Sequence, residues 1–375
     1  MKTPNVFLNI VVLIGMSIHA LWVQSAPDDS LFYYGQDYGS ESQFGPLNVL
    51  INVGLVVPGR LGTTNRLDDV RFDEGWSQWK EALSHQEDVF EASGGYQSAL
   101  EKEFIPFAHE SGAWVPNYTL HFLGEGMLTR KMEEYYRYHG VTGQYWPKIL
   151  AISTVTAAQI TNEVAEIELP WEQRLDPVAD LYFNVAGMIA FSFDGFAKWF
   201  NSGTREYYYW PGQPVIDPYD QGLFNQGESY LFRFGEGTKW AVATGMPANG
   251  VGFSFPLDDM EFEYFTVLLG SDVLIPKRDE IIEREKHDRG YQFSASDVAD
   301  EYTLAINTYW DRKGSLMASA ALSVYPSAQL NINIFPIFQH QNGWGLGGYF
   351  ILSDEGASSV GITLSVTPVI LGVRS

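Results

Sequence analysis

The sequence predicts an α+β protein: an antiparallel transmembrane β-barrel of about 8–12 strands with a central helical insert, the alternative being a soluble antiparallel β-sandwich with helices. Three observations predict it. An apolar leader opens the chain, helical stretches punctuated by Gly and Pro fill residues 116–201, and beyond Pro214 apolar residues recur at every second position. Composition sets the outer bounds. With 375 residues, 45% hydrophobic and 18% charged, the chain has room for one large domain or two ordinary ones and does not read as disordered. Its 23 Lys and Arg against 46 Asp and Glu give a net charge of -23, which excludes a broad basic surface for nucleic acid. Cysteine is absent, so disulfides and thiolate chemistry are excluded.

The first element is residues 1–25, where Lys2 precedes an apolar run from Val6 to Ile18 and small residues Ser25 and Ala26 follow. That order reads as a secretory signal peptide. Residues 26–115 form an acidic N-terminal segment, with a strand expected from Leu47 to Val57 because Val49, Ile51, Val53, Leu55 and Val57 alternate. The stretch from Glu74 to Phe104 breaks at Gly94 and Gly95 into two short helical or irregular pieces and suits a solvated lobe or plug, the alternative being a loop.

Residues 116–201 are the helical insert, with helices expected near Asn117 to Tyr138, Pro147 to Glu168 and Pro177 to Phe200. Pro147 and Pro177 sit in first turns, where a missing N–H costs nothing. Residues 212–375 supply the strands. Leu330, Ile332 and Ile334 face one way and Gln329, Asn331 and Asn333 the other, and Val360, Ile362 and Leu364 repeat the pattern against Gly361 and Thr363. A charged tract from Lys277 to Arg289 reads as an exposed loop. Strands with one greasy face and one uncharged polar face fit a membrane barrel, since closure satisfies every backbone group in lipid.

Chemistry concentrates in polar side chains on apolar helices. His121 and Glu125 stand four apart on one helix face with Gly124 between them and Arg130 beyond. Two ligands do not make a zinc site, which needs three or four, so no metal and no cofactor is expected. Glu163 lies on the second helix, while Asp176, Asp180 and Asn184 run at steps of four into the third. A carboxylate buried there needs a proton, a hydrogen bond or a cation. The catalytic reading makes His121 an acid or base oriented by Glu163 or Asp180, with Glu125, Arg130, Asp176 and Asn184 as a supporting network. The other reading is a buried polar network that fixes helix register. Tyr207, Tyr208, Tyr209 and Trp210 have the aromatic density of a sugar-binding shelf. A phosphate loop, a nucleophile-elbow serine and a repeated calcium loop are not found.

The run from Trp114 to Gly124, followed by Arg130, Glu163, Asp176, Asp180, Asn184 and Gly187, resembles an uncharacterised family of bacterial outer-membrane proteins. In that family the helical segment carries an early His-Gly element, a mid-helix Glu and a late Asp-Asn-Gly element. The resemblance implies an outer-membrane address and a helical insert among β-strands, with no established activity. The expectation is therefore a structural or envelope-associated barrel of the bacterial outer membrane, reached after signal cleavage, whose helices plug the lumen or pack at its periplasmic mouth. Its expected partners are outer-membrane lipid and an envelope lipid or glycan, with no nucleic acid. The alternatives are an envelope enzyme acting on lipid or glycan through His121, Glu163 and Asp180, and a periplasmic binding domain.

Overall fold

Alternation decides the sheet. In the computed structural model thirteen strands pair in one sheet, and a layer of helices built from the first half of the chain packs against it. The structure describes residues 30–56, 70–109, 113–166, 175–203, 205–209, 211–217, 222–246, 248–258, 262–273, 302–325, 328–339, 344–354, 358–365 and 370–374. The leader, the tract from Lys277 to Arg289 and Trp210 lie outside the described residues.

The helices are α1 (Pro46–Asn52), α2 (Phe72–Ser84), α3 (Gln86–Ala92), α4 (Tyr96–Glu103), α5 (Gly126–Tyr138), α6 (Trp146–Glu166), α7 (Leu175–Ser192) and α8 (Asp194–Gly203). A short turn, Trp114–Pro116, and a π-helix, Asn117–Glu125, lead straight into α5. Where a strand is expected from Leu47 to Val57, residues 47–52 belong instead to α1, and Val57 lies outside the described residues. Pro46 holds its first turn, and Val49 and Val53, four apart, both enter the core, so an apolar run that alternates also satisfies the helical period. That core joins α1, α5, α6 and α7 to the sheet, with Met127, Leu128, Val155, Phe191 and Tyr230 nearly inaccessible.

The strands are β1 (Arg205–Tyr209), β2 (Val215–Ile216), β3 (Leu223–Phe224), β4 (Glu228–Phe234), β5 (Lys239–Met246), β6 (Asn249–Asp258), β7 (Glu263–Val273), β8 (Tyr302–Arg312), β9 (Ser315–Tyr325), β10 (Gln329–Gln339), β11 (Gly345–Ser353), β12 (Ser358–Leu364) and β13 (Ile370–Arg374). From β4 to β13 each strand pairs antiparallel with its successor. β1 adds antiparallel to β4, β2 lies parallel to β13, and β3 follows β2 at the far end.

This topology corrects the barrel. The sheet has two ends, β1 and β3, and among the described residues those ends do not pair with one another. The ends are also short, with five residues in β1 and two in each of β2 and β3, where a membrane-crossing strand needs about 9–11. An open antiparallel sheet with helices is what forms, nearer to the sheet-with-helices alternative than to a closed barrel. The transmembrane strands, the outer-membrane address, the lipid partner and the plug role all rested on closure and are corrected with it. Among the described residues no helix is long and apolar enough to cross a membrane.

The two faces of the sheet carry opposite chemistry. Val251, Leu269, Ile306, Val360 and Ile362 are exposed, while Ser254, Thr266, Asn307, Asn331, Asn333 and Thr363 are buried. Polar partners come to the buried side from two segments. A strap at residues 38–43 brings Ser40 Oγ to the Leu316 N–H and Gln43 Nε2 to Thr363 Oγ1, at 3.0 and 3.2 Å. A second segment brings Gln213 and Asn225 onto Asn333 Oδ1, at 3.2 and 2.9 Å. Arg233 meets Asp311 there in a fully buried ion pair, completed by Ser254, Thr266 and the face of Tyr264.

Candidate functional site

The site is built where the π-helix crosses α7. A Cβ at Gly187 would run into the carbonyl oxygen of Phe122, and one at Gly126 would meet Phe191 and the Gly187 carbonyl, so only glycine at both positions lets the two backbones approach this closely. The widened turn of the π-helix, a form that recurs at functional sites, carries both His121 and Glu125.

Close approach brings two side chains of α7 to the imidazole. His121 Nε2 is 3.2 Å from Asp180 Oδ1, and Nδ1 is 3.1 Å from Asn184 Oδ1. Asp180 is 9% exposed and His121 16%, so the ring is held among protein atoms with a narrow opening to solvent. Burial pulls the imidazole down to about 4, with the Asn184 hydrogen bond opposing it. The ring is therefore neutral near pH 7 with a single N–H. Nδ1 carries that proton and donates it to Asn184 Oδ1, which leaves the lone pair on Nε2, on the side of Asp180. Phe104, Tyr118, Phe122 and Phe183 line the neighbouring surface, with the Phe104 and Phe183 rings stacked at 4.9 Å.

The remaining candidates divide. Glu125 is 2% exposed and points away from α7 to meet Gln159 of α6 and Glu228 and Tyr230 of β4. Arg130 serves a different joint, at 3.0 Å from Glu134 and 2.6 Å from Asp194. Asp176 lies exposed in the first turn of α7, and Glu163 is half-buried on α6. Tyr207, Tyr208 and Tyr209 fall in β1, paired with Leu231, Tyr230 and Ser229. Sequence reasoning missed Gln159, Glu228 and Tyr230. The only signal for Glu228 was an acid opening an aromatic strand, and nothing local tied it to Glu125.

Among the described residues no group of three or more His, Cys, Asp or Glu is arranged to hold a metal ion. No family model, curated protein or solved structure matches this chain. The resemblance to an outer-membrane family is therefore corrected, as loosely spaced polar residues on apolar helices are common to many buried networks.

Proposed function

We propose that the helical layer houses an acid–base site of a hydrolytic enzyme, with His121 as the proton-transferring catalytic residue, Asn184 as its positioning partner and Asp180 as the carboxylate beside Nε2. The hydrogen bond from His121 Nδ1 to Asn184 Oδ1, with Asp180 Oδ1 3.2 Å from Nε2, carries the reading. Asn184 accepts from Nδ1 and so fixes one tautomer, and a water that enters beside Asp180 finds a lone pair at Nε2 and gives up its proton there. The hydroxide attacks the acyl carbon of an ester, and the proton then passes from Nε2 to the departing alkoxide as the acyl–oxygen bond breaks. The rings of Tyr118, Phe122 and Phe183 form an apolar wall suited to the acyl body.

The test is turnover of a series of chromogenic acyl esters by wild type, His121→Gln and Asp180→Asn, with circular dichroism confirming folding. Removal of the base is expected to cost about 10²–10⁴-fold. Because the base works when neutral, the wild-type rate should climb as pH rises through about 4 and stay level through neutrality. Full turnover by folded His121→Gln, or no turnover by wild type above buffer, would discard the reading.

A further inference from the structure

The seam between the helices and the sheet carries a second group of titratable side chains that the His121 site does not use. Glu125 comes from the π-helix, Gln159 from α6, and Glu228 and Tyr230 from β4. Gln159 Nε2 donates to Glu125 Oε1, and the Tyr230 hydroxyl donates to Glu228 Oε1 while standing 3.5 Å from Glu125 Oε1. One hydroxyl thus sits between two carboxyl groups and has one proton to give. Glu125 Oε2 is buried and meets no donor among the described residues. Neither carboxyl has a cationic partner there either.

We propose that Glu125 and Glu228 form a proton-binding site, in which one proton shared between the two carboxyls clasps the helical layer to β4 and its loss loosens that seam. Two adjacent carboxylates cannot both ionise at low cost out of water, whereas a single proton turns one of them into the donor that Glu125 Oε2 lacks. Burial pushes both groups above the ordinary 4.5, and the nearby Glu228 charge pushes Glu125 further.

The neighbouring groups do not replace the proton. On the π-helix His121 is taken by Asp180 and Asn184; on α5 Arg130 is held by Glu134 and Asp194, and Lys131 lies 3.3 Å from Glu41. From α6 the group that reaches Glu125 is the uncharged Gln159, with the acidic residue Glu163 one turn further along the helix. On β5 the residues opposite Glu228 and Tyr230 are Met246 and Thr244, and on β1 the residue opposite Tyr230 is Tyr208, none of them cationic.

Infrared spectroscopy of the full chain tests the site directly. Wild type near neutral pH should show a protonated-carboxyl C=O band that disappears on alkaline titration and is missing from both Glu125→Gln and Glu228→Gln. Each amide keeps the shape of the protonated acid. The denaturation midpoint of wild type should also fall relative to Glu125→Gln between about pH 5 and about pH 8. The wild-type band is read without any variant, so a misfolded mutant does not blunt the test. Absence of the band near neutrality, its survival in both variants, or parallel midpoints would overturn the proposal.

Discussion

The buried face of the sheet and the helix–sheet seam both hide polar side chains, yet they satisfy them by different means. In the sheet, Asn333 accepts from Asn225 and donates to Asn331 Oδ1 at 2.9 Å in each case, so neutral amides satisfy one another. Arg233 and Asp311 cancel charge for charge. At the seam, Glu125 and Glu228 bring two acids together with one hydroxyl and one amide, and that arrangement closes only with an added proton. Burial alone therefore does not make a region responsive to pH. What matters is whether donors and charges balance within the protein.

The comparison breaks most visibly at its charged pair. Arg233→Met takes the buried Asp311 carboxylate's cation away and is expected to cost about 3–5 kcal/mol by chemical denaturation, with the double variant Arg233→Met, Asp311→Leu recovering most of it. Next comes the neutral ladder. Asn333→Leu strips Asn225, Asn331 and the Gln213 N–H of a partner and should cost about 1–3 kcal/mol, by the same amount at every pH between 5 and 8 as measured by urea midpoints, where about that range is free of amide titration.

The seam behaves differently. Its raised carboxyls bind more protons folded than unfolded, so the stability they confer is present at low pH and is lost as pH climbs above the ordinary 4.5. The slope should approach about 1.4 kcal/mol per pH unit for each proton held. His121 contributes with the opposite sign, because its folded value near 4 lies below the ordinary 6.5 and its share of stability falls as pH drops through that window. Subtracting Glu125→Gln from wild type isolates the carboxyl slope. The smallest effect belongs to the surface: Arg71 and Glu74, 45% and 50% exposed, form a 3.0 Å pair whose loss in Arg71→Ala should change stability by about 0.5 kcal/mol or less in a thermal melt.

Parts of this arrangement were legible in local sequence. The division of Leu330, Ile332 and Ile334 from Gln329, Asn331 and Asn333 marks an extended segment because a strand turns successive side chains to opposite faces, and β10 runs through it. The same kind of alternation misled at Leu47 to Val57, where Val49 and Val53 also fit one face of a helix and Pro46 was the better guide. His121 stood out as a lone imidazole on an apolar helix, but the choice between Glu163 and Asp180 as the nearer carboxylate needed the crossing at Gly187.

By itself the sequence determined that strands with an uncharged polar face would follow a set of apolar helices, since side-chain period and backbone punctuation are properties of neighbouring residues. Only the tertiary structure decided that, among the described residues, the sheet ends at β1 and β3 without pairing between them, because closure depends on accumulated twist and pairing across the whole sheet. It also decided that Glu125 would meet Tyr230, 105 residues away. No local pattern encodes such a meeting, because it arises from packing two layers whose separate sequences contain no trace of one another's position.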